Sequence, residues 1–518
     1  MRGKSLLPPR LQGGLGWGRF TRGRITAGME MNKAQSVVQS LRQSLDLRLL
    51  VWLIPFALAM AVLGSSPKIL IALMGAMVVV IVFTFLREWL ILAFYALIAF
   101  SVEIDLRGGT HAITLPTEGL LPILFVSTAL VILLTGRLRY IRSPLNMGLG
   151  LYVFVMYASL LITREPISTV KALIRDSGYI FGGYVLLQLF VTNRKRLIVL
   201  FWTCGVVHFF LVTYGLGTQA VGGIRIYDEI AQPFFENHCI YAAYLVISLS
   251  FLISFGLGYL RGIYATLVNL AALVVAAAVG LTFVRAAWIS VAFMLLYFLL
   301  HFRKKSAGVN LLLVFLILDL LAVVVILSTD IGKLVIERAR TIADIGYVAN
   351  YDRLDRWLAA ISMWKDEPIH GVGYGAYPDV YPKYVVYRMA YSKELRMGAH
   401  NLYLEIMAET GVIGISAFLI MLYLFFREAT VQDPGERDPL ISCTLAGAKG
   451  AMISLLVHAF FNNLGPSDKI GVSLWLLLGL VPCCTRLAQQ SLGENWNREP
   501  SEPAPESHPL QPATVPNP

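Results

Sequence analysis

The chain has 518 residues, 57% of them hydrophobic and only 14% charged, with a formal net charge of +11 at pH 7. Soluble domains carry roughly 45–50% apolar and about 25% charged residues, so this composition excludes a water-solvated globular protein and points to lipid as the solvent. No basic recognition module accompanies the positive charge, which fits anionic headgroups and membrane orientation and argues against nucleic acid as a partner.

Residues 1–46 are basic and lack the apolar core of a signal peptide, and Met29 or Met31 is an alternative start. From Leu47 to Cys484, runs of the roughly 20 apolar residues that a span needs recur along the chain. They predict spans at approximately 48–64, 68–86, 89–103, 118–136, 146–163, 170–191, 197–214, 237–256, 262–282, 285–302 and 309–328, then 411–427, 443–462 and 469–485. The expected fold class is an all-α polytopic membrane protein of about 12–14 transmembrane helices, with 47–328 and 411–485 as its membrane segments. Arg137, Arg139 and Arg142, then Arg194, Lys195 and Arg196, then Arg303, Lys304 and Lys305 fall in loops on one side of this count. Basic short loops mark the cytoplasm, so the N-terminus is expected inside and the long 329–410 segment outside. The tail, 486–518, is expected to be disordered and cytoplasmic, its end being rich in Pro, Glu and Ser. The five cysteines form neither a spaced disulfide framework nor a zinc pattern, and no cofactor or metal is expected.

Two segments on the outer side break the pattern of minimal loops. Gly215–Glu236 carries Arg225, Asp228, Glu229 and Glu236, and 329–410 is the one loop long enough to fold over the membrane. Within the second, Tyr351–Trp364 has apolar residues at helical spacing, with Arg353 and Arg356 on one side. Gly371, Gly373 and Gly375 follow, the mark of a turn or of a backbone that approaches a ligand closely. Tyr374, Tyr377, Tyr381, Tyr384, Tyr387 and Tyr391 read either as an aromatic belt at headgroup level or as a stacking surface for sugars or prenyl chains. His400-Asn401 opens a short helix terminated by Gly411, which feeds with Gly414 into the next span. Inside the spans, Arg175 with Asp176, Asp319 and His458 are ionisable; interfacial wetting explains the first pair and cross-helix pairing suits Asp319 better than a proton relay.

The His400-Asn401 pair, separated by nine residues from Gly411-x-x-Gly414, resembles the signature of the O-antigen ligases. Arg353, Trp357 and the Gly371-Val-Gly373-Tyr-Gly375 block resemble the wider ligase and polymerase superfamily. Arg285-Ala-Ala-Trp-Ile289 is similar to that family's Arg-x-x-x-Leu element with Ile in place of Leu, and Arg225 resembles a further family arginine. The similarity covers roughly 220–415. It implies a metal-independent glycosyltransferase that moves a glycan from a prenyl (undecaprenyl) diphosphate carrier to an acceptor hydroxyl, at the periplasmic face of a bacterial inner membrane. The arginines bind the diphosphate, His400 serves the acceptor proton, and Asn401, Arg356, Gly371, Gly373, Gly411 and Gly414 support them. Lipid A core, a second lipid-linked glycan (the polymerase alternative) and a protein are the acceptors the resemblance leaves open.

Elementary chemistry agrees. Arginine's planar fork suits phosphate oxygens while staying charged near lipid, which nominates Arg225, Arg285 and Arg353. Histidine is the side chain whose ordinary pKa suits a base near neutrality, which nominates His400. The bland alternatives are a capping or interfacial role for His400, snorkelling for Arg285, and pairing of Arg353 with Asp352 or Asp355 and of Arg225 with Asp228 or Glu229. A multi-span transporter is the rival from another class, disfavoured because no matched pair of Gly/Pro-broken spans recurs in two halves.

Overall fold

The computed structural model describes residues 143–222, 230–303, 348–386 and 397–496 and most of 89–128, apart from a few positions within them. The predicted spans at 48–64, 68–86 and 309–328, and the part of 118–136 beyond residue 128, lie outside the described residues, as do Arg225 and Asp319. All that is described belongs to one unit, Leu86–Pro518.

In chain order, α1 (Ile91–Phe100) leads into an antiparallel hairpin of β1 (Val102–Asp105) and β2 (Ala112–Leu115), with Val102 opposite Leu115. Next come α2 (Leu145–Leu161) and α3 (Pro166–Tyr179), which passes through a π-turn at Ile180–Val185 into α4 (Leu186–Phe190). Then follow α5 (Arg194–Gly222), α6 (His238–Gly258), α7 (Gly262–Leu281), α8 (Arg285–Phe302), α9 (Val348–Asp366), α10 (Leu402–Val431), α11 (Pro439–His458) and α12 (Asp468–Trp496). Among the described residues seven helices, α5 to α8 and α10 to α12, are long and apolar enough to cross a membrane. The protein is an all-α polytopic membrane protein with one small hairpin.

Helices α6, α11 and α12 bury most of their apolar length, whereas α5 and α7 expose theirs through Trp202, Phe209, Tyr264 and Leu267. Lipid tails are as apolar as leucine, so close approach through small residues and interhelical hydroxyl bonds must hold the inner helices together. Ser250 and Ser254 of α6 donate to the carbonyls of Gly447 and Cys443 of α11, both at 2.7 Å, and Ser454 of α11 donates to the Ser290 carbonyl of α8 at 3.1 Å. A Cβ on Gly450 would come within 2.5 Å of the Ser250 hydroxyl.

Four expectations change. The span predicted at 89–103 stops at Phe100, because Ser101 turns its hydroxyl onto Ile98 O and Asp468 (2.7 Å each) and the chain becomes β1. The loop predicted from Gly215 begins later, since α5 runs on to Gly222; a Cβ at Gly215 would lie 2.4 Å from the Tyr241 hydroxyl, so this glycine serves packing and not a turn. Residues expected in the tail from 486 are helical as far as Trp496, where α12 ends. Tyr377 and Tyr381 are neither belt nor open surface: both are fully buried and stack on each other, centroids 5.8 Å apart.

Candidate functional site

The segment before α10 folds as its own packed layer. Ala359, Ala360 and Met363 of α9, Val372, Tyr377, Val380 and Tyr381 of the strap that follows, and Ala408 of α10 form a fully buried cluster. Tyr377 donates to Arg356 O at 2.7 Å and Tyr381 to Asp355 at 2.6 Å, which ties the strap to α9.

The glycines make this layer possible. Gly411, at φ 62 and ψ −163, breaks α10 and frees backbone groups that a continuous helix would pair. The 368–373 strap takes them up: Val372 N donates to Ala408 O (3.0 Å), Gly373 N to Glu409 O (2.9 Å) and Val412 N to Pro368 O (2.9 Å). Such close backbone contact leaves no room for a side chain. A Cβ on Gly371 would lie 2.3 Å from Glu409 C, one on Gly411 2.3 Å from Ile369 C, and one on Gly373 2.1 Å from the Thr163 hydroxyl. The close approach foreseen for Gly371 and Gly373 is therefore to the protein's own backbone. Gly414 sits where a Cβ would meet Thr410 Oγ1 at 1.8 Å, and that hydroxyl donates to Ile406 O at 2.6 Å.

The strap and broken helix hold the turn that carries His400. Asn401 caps α10, its side-chain oxygen accepting from Tyr403 N and Leu404 N at 3.1 Å each. Glu405 reaches back to accept from Ala399 N at 2.7 Å, and Leu402 N donates to Ala459 O at the end of α11 at 2.9 Å. Between these anchors His400 is held at φ 52, a left-handed conformation that histidine tolerates better than most residues. The capping role considered for His400 thus falls to Asn401, and the imidazole is left with its Nδ1 buried and without a hydrogen-bond partner among the described residues.

Arg356 and Arg353 act on that imidazole and Arg285 acts on Arg353, and the three have different duties. Arg356 is buried and committed: it donates to Asp352 (2.7 Å to the carboxylate, 3.2 Å to the carbonyl) and to Gly398 O at 3.3 Å. Asp355 is also committed, to Tyr381 and to Val386 N at 2.8 Å. The carboxylates offered as bland partners for Arg353 are thus engaged elsewhere, and Arg353 makes no hydrogen bond or ion pair among the described residues. Arg285 begins α8, where a cation stands against the positive end of the helix dipole. Burial first, then repulsion from Arg285 and Arg356, pushes the Arg353 guanidinium below its ordinary value, against the opposing pull of Cys239 and Asp352. Burial, then Arg356 and Arg353, pushes His400 down to about 3, with Asp352 opposing.

The structure therefore brings Arg353 and Arg356 within electrostatic reach of His400, and Arg285 within reach of Arg353, and leaves Arg225 outside the described residues. It adds Asp352, as the clamp on Arg356, and Cys239 in the first turn of α6, which Asn237 caps by accepting from Ile240 N at 3.0 Å. The (i, i+4) spacing of Asp352 and Arg356 was a legible signal; nothing in the sequence pointed to Cys239. Excess positive charge in a half-buried space with one uncommitted planar fork is a site for an anion such as phosphate. No group of three or more His, Cys, Asp or Glu gathers as a metal site among the described residues.

No curated protein matches this chain. Residues 270–419 match the family model described as O-antigen ligase, a stretch that contains Arg285, Arg353, Arg356, Gly371, Gly373, His400, Asn401, Gly411 and Gly414 but not Arg225. Over that stretch the chain is similar to the O-antigen ligase-like superfamily, whose members are membrane glycosyltransferase-like ligases and polymerases.

Proposed function

We propose that the protein is an O-antigen ligase-like glycosyltransferase of the bacterial inner membrane, working at the periplasmic face on a glycan linked to prenyl diphosphate. The observation that carries this reading is the Arg353 guanidinium, half-buried beside Arg285 and His400 with no hydrogen bond or ion pair among the described residues.

In the proposed reaction the acceptor hydroxyl oxygen bonds to the anomeric carbon as the bond from that carbon to the diphosphate oxygen breaks. The electron pair leaves with the prenyl diphosphate, held by Arg353 and Arg285, with Arg225 as a third candidate. The hydroxyl proton passes to His400. With no donor bound, burial and then Arg356 and Arg353 hold His400 at about 3, too low for an effective base near neutrality. A bound diphosphate cancels their repulsion and raises the imidazole's basicity, so the base is switched on by the substrate it serves. Arg356 supports the site by fixing Gly398 and, through it, the His400 turn.

The test is transfer by purified protein in detergent from a prenyl-diphosphate-linked oligosaccharide, offered a lipid A core, a second lipid-linked glycan or no added acceptor, with wild type and His400→Asn side by side. Product on the core that vanishes in the variant supports the ligase; chain lengthening identifies the polymerase. A folded wild type that neither binds the donor nor transfers it rejects the reading and returns the transporter to consideration.

A further inference from the structure

A cavity of about 760 Å³ lies between α3, the first half of α10, the end of α11 and the start of α12. Its volume falls within the roughly 300–1,000 Å³ usual for small-molecule sites. Both ends of the His400 turn, Gly398 and Leu402, line it, while Arg356 grips the Gly398 carbonyl and so links this wall to the arginine cluster.

The lining differs in kind from the arginine cluster. Carboxylates of Asp176, Asp379 and Glu405 and the buried carboxyl group of Glu409 line it together with Lys171 and Arg175, so acidic side chains outnumber basic ones. The acidic side chains are fixed by the protein: Tyr374 and Arg175 hold Asp176, Ser168 donates to Asp379, and the backbone N–H groups of Ala399 and Tyr377 donate to Glu405 and Glu409. A carboxylate offers about four lone-pair sites, so one that steadies the fold can also accept a ligand hydroxyl. Aromatic faces complete the wall, Tyr152 standing 6.4 Å from Trp475 and 5.6 Å from Phe418 between ring centroids. Rings with a negative face suit the C–H surface of a sugar, and rigid acceptors suit its hydroxyls. A diphosphate would be repelled here, as a neutral polyol would be weakly held among arginines.

We infer that this cavity holds the acceptor saccharide and delivers its hydroxyl to His400 at the Gly398–Leu402 turn, an inference that rests on the transferase reading above. The two substrates are thereby sorted by charge to the two sides of one turn.

Binding without turnover tests it. Purified protein in detergent is titrated with a lipid A core and, separately, with a prenyl-diphosphate-linked oligosaccharide, and complexes are counted by native mass spectrometry. The double variant Asp379→Asn/Glu405→Gln keeps a carbonyl oxygen where Ser168 and Ala399 N donate, and Lys171→Ala alters an exposed side chain. The expected result for the double variant is lipid A core binding weakened at least about tenfold with the first lipid-linked glycan bound within about twofold of wild type, the loss of charge-assisted bonds to hydroxyls. Arg353→Ala should give the opposite pattern. If the acceptor is a second lipid-linked glycan, wild type binds two copies and the double variant one. Equal weakening of both probes, unchanged saccharide binding in both cavity variants, or a wild type that takes up neither a lipid A core nor a second glycan overturns the inference. A wild type that binds the core through this cavity but never the donor supports the saccharide site and rejects the transferase reading.

Discussion

At the end of the bundle where α10 turns into α11, Arg194 pairs with Asp438 and Arg486 donates to the carbonyls of Gln188 and Val191. At the opposite end of the same helix pair, Arg353 stands beside Arg285 with no hydrogen bond or ion pair among the described residues. The first arrangement is what stability asks of a cation near lipid, each charge answered by an oxygen. The second leaves a half-buried guanidinium that no described residue answers with a hydrogen bond or ion pair, and the contrast separates the two arginines more sharply than their positions in the sequence do. Arg353 and Arg356, neighbours on one helix, repeat it at close range.

The largest expected effect comes from removing the base without disturbing its turn. His400→Asn keeps a residue that tolerates φ 52, so the fold should survive while kcat falls by about 10²–10⁴, the usual contribution of general base catalysis. Retained turnover in that variant would leave His400 a structural residue. Arg353→Lys comes next: it preserves charge but not the fork, and kcat/KM should drop by about 10²–10³, as when an oriented donor to developing charge is lost. Wild-type turnover by the lysine variant would remove the clamp. At the other end of the bundle, Arg194→Ala should leave transfer unchanged and cost at most about 1 kcal/mol in unfolding free energy, because the Arg194 side chain is 43% exposed and its pair with Asp438 is screened. A loss of activity there would break the division of labour between the two ends.

Which of this the sequence disclosed follows from how each feature is encoded. Spans 237–256, 262–282 and 285–302 match α6, α7 and α8 closely, because continuous apolar composition is a local property that lipid demands. His400, Arg285 and Arg353 were legible as residue types at family spacing, and Arg353 lies within electrostatic reach of both of the others. The glycine knot was not, since a Cβ at Gly371 is excluded by Glu409, a residue distant in the chain, and no local pattern announces that contact. Tyr377 and Tyr381 misled for the same reason: tyrosine near a membrane reads as interfacial until Asp355 and Arg356 O are seen to take their hydroxyls. The hairpin did leave a trace, in the alternation of Val102-Glu103-Ile104-Asp105, but a strand of four residues between apolar helices is easily absorbed into a span or a loop.

The pH dependence of His400 sharpens the comparison most, because it reads burial together with the fields of Arg356 and Arg353 at one titrating group. His400 has an ordinary value of 6.5 and is pushed to about 3 in the folded protein. Between those values the unfolded chain binds more protons than the folded one, so this residue makes stability rise with pH across that window and fall as pH drops below 6.5. Thermal unfolding of His400→Asn in detergent should therefore show a smaller loss between pH 7 and pH 4 than wild type shows. Donor binding reverses the sign locally. A diphosphate between Arg353 and Arg285 removes repulsion from the imidazole and raises its pKa, so binding is coupled to proton uptake and should tighten as pH falls from about 7.5 to about 5.5. The slope should disappear in His400→Asn, which has no proton to take up. If both proteins bind the donor with the same pH dependence, the arginines and the histidine do not share a field when substrate is present, and the base is not switched on by the diphosphate.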